Sequence, residues 1–251
     1  MIRETFTVEG PIQVEVSAAS GSITVERGSH GSVEVEVDTR NPDAWRVAQT
    51  GSTISVTNER GFGRGGRARI RIAVPDGTSL SVRTASANVR ATAPLDRATL
   101  STASGDIDLV DAVNANLKSA SGDIAVDRIA ADLTARAASG NVRVGHVGGR
   151  ASLTSVSGDL QIDRVDGDAV VSTASGDVRV KTFSGSDFES ATVSGDLDLG
   201  LPPGRTVKLS ARTLSGSVRL PDRRQASGSN GPEVSLRLRS VSGDIRIERV
   251  G

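Results

Sequence analysis

The residues of this chain best suited to chemistry recur in units. Ser104-Gly105-Asp106, Ser121-Gly122-Asp123, Ser157-Gly158-Asp159, Ser175-Gly176-Asp177, Ser194-Gly195-Asp196 and Ser242-Gly243-Asp244 repeat one tripeptide, and Asn141 and Ser217 stand in the acidic place of two further units. Stacked at strand spacing, such carboxylates would form a column able to hold calcium or another hard cation. The competing role is structural: Ser and Asp side chains accept backbone N–H bonds at a tight corner, and Gly takes a φ closed to other residues. The structural role is preferred. Calcium-binding β-roll repeats have a period of about nine residues and a denser Gly-Gly-Asp signature, and Asn141 and Ser217 interrupt the column. The tripeptides are expected to form a turn ladder, with no metal and no cofactor.

Three residues before the glycines lies a hydroxyl column: Thr102, Ser119, Ser155, Thr173, Thr192, Thr213 and Ser240. A hydrogen-bonded ladder inside the coil is its expected use, in preference to a ligand groove. Catalysis has little to work with. The chain has no Cys and no Tyr, and its two histidines are His30, in a turn-like Gly-Ser-His-Gly, and His146. Both are expected to be ordinary surface residues, and no Ser-His-Asp set stands out among the many Ser and Asp. Sugar-polymer enzymes built on β-helices use acid clusters and aromatic platforms, whereas here the acids are periodic and aromatics make up 2% of the chain. No catalytic residue is assigned and no enzyme is expected. The sharpest local charge is Arg60, Arg64, Arg67, Arg69 and Arg71, with Phe62 among them. It has the look of a single-strand nucleic-acid contact, but one short occurrence is weak. An exposed loop beside a strand is the expectation, without a nucleic-acid partner.

The elements that position these residues follow from periodicity. Phe6 and Val8, Ile12, Val14 and Val16, Ile23 and Val25, and Val33, Val35 and Val37 alternate with polar residues, as strands with one buried face do. From Leu80 onward the motif glycine or its equivalent falls at Ala87, Gly105, Gly122, Gly140, Gly158, Gly176, Gly195, Gly216 and Gly243, about every eighteen residues until the last two intervals. Three and five residues after each glycine come inward pairs such as Ile107 and Leu109, Val142 and Val144, Val218 and Leu220, and Ile245 and Ile247. A second inward strand carries Leu100, Leu117, Ala135, Leu153 and Val171, and a corner contact carries Val113, Ile129, Val147, Val165 and Phe183. One template repeated in register describes an all-β, single-stranded parallel β-helix, or β-solenoid, with about 18 residues per coil. Nine or ten coils at about 4.8 Å would make a rod of roughly 45 Å. The alternative is an antiparallel β-sandwich, which also suits closely spaced strands. A single domain over 1–251 is expected: irregular coils over 1–79, regular repeats over 80–200, and coils with inserted loops over 201–251. The long intervals, which contain Leu201 to Gly204 and Pro221 to Gly231, read as insertions looped out of a continuing array.

Composition agrees with a narrow interior. With one Trp, four Phe and 36% hydrophobic residues, the core must be built from Val, Ile, Leu and Ala. Thirty basic residues balance thirty acidic ones, so no whole-molecule field draws in nucleic acid or an anionic membrane. No signal peptide or membrane span is apparent, which reads as a cytoplasmic chain, with envelope association through a partner as the alternative. The stretch Ile70 to Val82, followed by Thr-Ala-Ser-Gly-Asp-Ile units such as Thr102 to Ile107 and Thr173 to Val178, resembles the bacterial "putative adhesin" β-strand-repeat family, a domain family of unknown function. The resemblance spans nearly the whole chain. It implies a right-handed β-helix, association with the bacterial envelope, and roles in adhesion or envelope-stress signalling; it carries no catalytic residue. The expected function is a non-enzymatic scaffold presenting outward residues such as Arg143, Gln161, Arg179 and Arg246 to a protein partner. Self-assembly through unpaired terminal coils is the alternative, and a polysaccharide-active enzyme the remote one.

Overall fold

A β-strand sends alternate side chains to opposite faces, so a Val-rich alternating chain with few aromatics can bury one thin layer per strand. The structure is a computed structural model describing residues 1–59, 66–220 and 232–250. Its regular elements are strands, apart from one 3₁₀ turn at Pro42–Ala44. They fall into two units, Met1–Arg128 and Ile129–Gly251.

In the first unit the strands are β1 (Ile2–Thr7), β2 (Gln13–Arg27), β3 (Ser32–Thr39), β4 (Trp45–Thr50), β5 (Thr53–Asn58), β6 (Arg67–Val74), β7 (Thr78–Ala91), β8 (Leu95–Thr102), β9 (Ile107–Ser119) and β10, which begins at Ile124 and ends at Ile129. Coil stacking is parallel. Val14 and Ile23 of β2 stand beside Leu80 and Val89 of β7, which stand beside Ala98 of β8 and Ile107 of β9. On its other side β2 pairs with β5 and β6, matching Val14 to Ile54 and Ile23 to Ile70. The coil formed from later residues therefore lies outside the coil formed from earlier ones. That outer layer is covered by antiparallel strands: β3 on β6, β1 on β3, and β4 on β5. Among the arginines assigned to an exposed loop, Arg67, Arg69 and Arg71 instead lie on β6. They alternate outward with the buried Ala68, Ile70 and Ile72. Arg60 and Arg64 lie outside the described residues.

The second unit continues with β11 (Leu133–Ser139), β12 (Val142–Val147), β13 (Ala151–Ser157), β14 (Leu160–Val165), β15 (Ala169–Ser175), β16 (Val178–Phe183), β17 (Asp187–Ser194), β18 (Leu197–Leu201), β19 (Thr206–Ser215), β20 (Val218–Arg219), β21 (Glu233–Ser242) and β22 (Ile245–Arg249). Like pairs with like: Leu133, Ala151, Ala169 and Phe188 form one buried file, and Val142, Leu160, Val178, Leu197 and Ile245 another. The chain is a β-solenoid, and parallel pairing between successive coils displaces the sandwich alternative. Phe183 and Phe188 fill one corner edge to face, with centroids 5.1 Å apart.

The end of the array departs from the expected order. β17 pairs with β21, not β19, aligning Thr192 with Ser240, and β19 pairs with the far side of β21. The last coil of the chain is thus inserted between the two before it. Side-chain size accounts for the exchange. Val234, Leu236 and Leu238 of β21 are fully buried between two neighbours, while the smaller set Val207, Leu209 and Ala211 of β19 is only half-buried in the outer position. Val218 and Leu220, expected to face inward, are exposed for the same reason. Val113 is also exposed, and Ala112 takes the buried place beside Leu95 because that coil is one residue short. The insertion from Pro221 to Gly231 lies outside the described residues.

Candidate functional site

The repeated tripeptides line one corner, where each acidic or amide side chain reaches the next coil's backbone. In the first unit the Asp106 N–H donates to Asn88 Oδ1 at 3.1 Å, and the Asp123 N–H to Asp106 Oδ1 at 3.0 Å. In the second, the Asp159, Asp177, Asp196 and Asp244 N–H groups donate to Oδ1 of Asn141, Asp159, Asp177 and Asp196 at 2.8–3.0 Å. Ser217 closes the run by donating its N–H to Asp244 Oδ1 at 2.8 Å. That bond and one from the Ser217 side chain hold the Asp244 carboxyl below the usual carboxylate range. Among the described residues no three acidic or histidine side chains converge as a metal-ligand group.

The corner takes two forms. At Gly105 and Gly122 the glycine N–H is bonded within its own coil, to Thr102 Oγ1 and Ser119 Oγ at 2.8 Å. Gly158, Gly176, Gly195 and Gly243 instead have φ near +140° and donate to the seryl carbonyls of Ser175, Ser194, Ser242 and Ser215 in the next coil, at 2.9–3.0 Å. The change falls after Gly140, whose coil carries Ala137 where the others have a hydroxyl. Glycine has one requirement common to both forms. A Cβ at Gly122 or Gly176 would overlap the carbonyl of Gly105 or Gly158 in the coil beside it.

The hydroxyl column is consequently not one continuous ladder. Thr102 and Ser119 accept from their glycines, Thr173 Oγ1 donates to the Ser175 carbonyl at 3.3 Å, and Ser155, Thr192 and Ser240 are buried with no hydrogen-bond partner on the hydroxyl. His146 is not a plain surface residue either. Its Nε2 lies 2.8 Å from Asp166 Oδ2, and Arg164 Nε donates to Asp166 Oδ1 at 2.8 Å. Burial alone would raise the Asp166 carboxyl, but the bonds from His146 and Arg164 outweigh it and hold it below its ordinary value. His30 is exposed.

The outward residues named from the repeat do share a face. Arg143, Gln161 and Arg179 are in register, and Arg179 and Arg246 both approach Asp198, at 3.2 and 3.6 Å. The repeat also holds a more distinctive feature. Between the aligned hydroxyls and motif serines lie Ala138, Val156, Ala174, Val193, Val241 and Leu214, one per coil in spatial order. Val156, Val193, Val241 and Leu214 are 59%, 54%, 47% and 85% exposed. This apolar file is flanked three residues later by Asp159, Asp177, Asp196 and Asp244. Its signal was present in the sequence as bulky apolar residues two before the glycine, out of phase with the inward set.

Solved structures similar to this chain include a "putative adhesin" from Bacteroides fragilis NCTC 9343, 14% identical, with 99% of this chain and 96% of that one covered and a TM-score of 0.40. A "putative adhesin" from Parabacteroides merdae ATCC 43184 is 11% identical, with 100% and 96% covered and a TM-score of 0.41. A "putative lipid binding protein" from Parabacteroides distasonis ATCC 8503 is 14% identical, with 99% and 97% covered and a TM-score of 0.42. No curated protein matches the chain. The Toastrack DUF4097 family model matches residues 11–248, and the chain belongs to that family.

Proposed function

We propose that this chain is a non-enzymatic, adhesin-like interaction module that docks a protein partner through the apolar file of its second unit. The observation that supports this is the exposed run of Val156, Val193, Val241 and Leu214 beside a rail of carboxylates. Neighbouring coils stand about 4.8 Å apart, so the file runs for roughly 24 Å at fixed spacing. Each Val or Leu side chain gains about 1.5–3 kcal/mol on full burial, and these are already partly covered, which suits a reversible contact. Charge complementarity selects a partner with an apolar ridge bordered by Lys or Arg. The family resemblance supports a setting at the bacterial envelope, reached through that partner, and a role in envelope-stress signalling. In a quantitative pull-down from native cells, Val193→Asp/Val241→Asp should recover at least tenfold less of the partner than the wild type while melting at the same temperature. Equal recovery would overturn the proposal.

Self-association is a second reading, favoured by the outer coil. Among the described residues β19 is paired on one side only, with Val207, Leu209 and Ala211 half-exposed at the open end. Light scattering across a wide concentration range tests it, and a monomer mass throughout removes it.

A further inference from the structure

We infer that the first unit carries a separate site, a polar cleft beside β6 that binds a hydroxyl-bearing ligand with phosphate or sulfate esters. The cleft has a volume of about 1240 Å³, and its basic wall is Arg40, Arg67 and Arg69. Strand register builds its floor. Arg67 stands beside Ser20 of β2 and then Ser86 of β7, and Arg69 beside Ser22 and then Asn88. These strands turn a corner here, with Gly21 at φ +124° and the buried set passing from Val14, Val16 and Ala18 to Ile23 and Val25. Ser20, Ser22, Ser86 and Asn88 all line the cleft, on strands about 4.8 Å apart. Two guanidinium groups therefore border four neutral hydrogen-bonding side chains. The floor is preformed: a Cβ on Gly21 would overlap the Ala68 carbonyl, so the β2 and β6 backbones already meet there. Past the end of β3 the Asn41 N–H donates to Thr39 Oγ1 at 3.4 Å, a turn that brings Arg40 and Asn41 into the lining.

Arginines without an ion-pair partner among the described residues also occur elsewhere in this unit, at Arg83 and Arg97, but this cleft gathers three of them. Arg71 and Arg90 meet Glu26 and Asp108 at 3.8 and 3.4 Å, and Arg27 meets Asp76. Among the described residues Arg40, Arg67 and Arg69 have no ion-pair partner. Asp38, the cross-strand neighbour of Arg69, is the one acid in the described lining, so three positive groups and one negative leave that described lining at +2. Guanidinium forks match the paired oxygens of phosphate and sulfate. The seryl hydroxyls, the Asn41 amide, the NH₂ of Asn88, whose Oδ1 already accepts from the Asp106 N–H, and the Asp38 carboxylate match ligand hydroxyls as donors and acceptors. No aromatic side chain is in the described lining, so selection rests on charge and hydrogen bonds without stacking.

Calorimetric titration of the full chain with inositol hexakisphosphate and sucrose octasulfate, against uncharged inositol and sucrose, tests the site and separates the two esters. At least one charged ligand should bind, weakening as salt rises, and neither uncharged sugar should. Arg67→Gln/Arg69→Gln should lower the affinity at least tenfold with the melting temperature unchanged, and Arg136→Gln in the second unit should leave it as in the wild type. Absence of binding by both charged ligands, equal binding by the uncharged sugars, or undiminished binding by the double variant would overturn the inference.

Discussion

Asp177 and Asn141 do the same thing by different chemistry: each offers Oδ1 to the backbone N–H of the next coil, Asp196 or Asp159. An amide oxygen serves there as well as a carboxylate, so charge is not what the position requires. Asp177→Asn should change stability by no more than a few tenths of a kcal/mol. Asp177→Ala, which strands the Asp196 N–H, should cost about 1 kcal/mol in urea unfolding. Asp166 is different because its partners are charged or can become so. Its carboxyl is held below its unfolded value, so the stabilisation is present above the ordinary carboxylate range and is lost as pH falls through the lowered value. Asp166→Asn should therefore be less stable than the wild type in urea unfolding at neutral pH, by about 0.5–1 kcal/mol, and the difference should vanish as pH falls through the lowered value. A gap that persists at acid pH would contradict this. The corner itself was legible from Ser, Gly and Asp spacing, but its two forms were not. Which acceptor a glycine N–H takes depends on φ and on the adjoining coil, and the tripeptide reads alike in both.

At the scale of elements, the regular coils were readable because each inward position repeats: Leu153 and Val171 stack as their spacing implies, as do Leu160 and Val178. The order of the last coils was not readable. Period alone does not say which of two similar strands takes the inner place; that follows from the volume of Leu236 and Leu238 against Leu209 and Ala211, competing for a position with neighbours on both sides. The antiparallel cover of the first unit was hidden likewise, since β3 alternates just as a coil strand would. Cross-linking tests the exchange cleanly in a chain with no cysteine of its own. Glu189→Cys/Arg237→Cys joins positions that are register partners and should oxidise readily. Glu189→Cys/Ser210→Cys joins the pair that sequential stacking would align, and should not. Leu238→Ala should cost about 2–5 kcal/mol as a buried deletion, and Leu209→Ala on the half-buried outer strand less than half as much. Equal costs would place both strands in equivalent positions, against the observed order.

For the molecule as a whole, net charge says little: thirty basic residues offset thirty acidic ones, so selection of partners falls to local pattern. The two patterns that matter were both visible as residues and invisible as sites. Val156, Val193, Val241 and Leu214 become a surface only when the coils stack and β21 moves inward. Arg67 and Arg69 become a cleft wall only when β6 lies against β2. On the proposed function, the apolar file of the second unit is a docking surface. A photo-crosslinking residue placed at Val193, with the same residue at the outward Gln161 as a control, tests it most directly in native cells. A discrete adduct of one partner is expected at position 193 and none at 161; no adduct at 193, or the same adducts at both positions, would overturn the docking role.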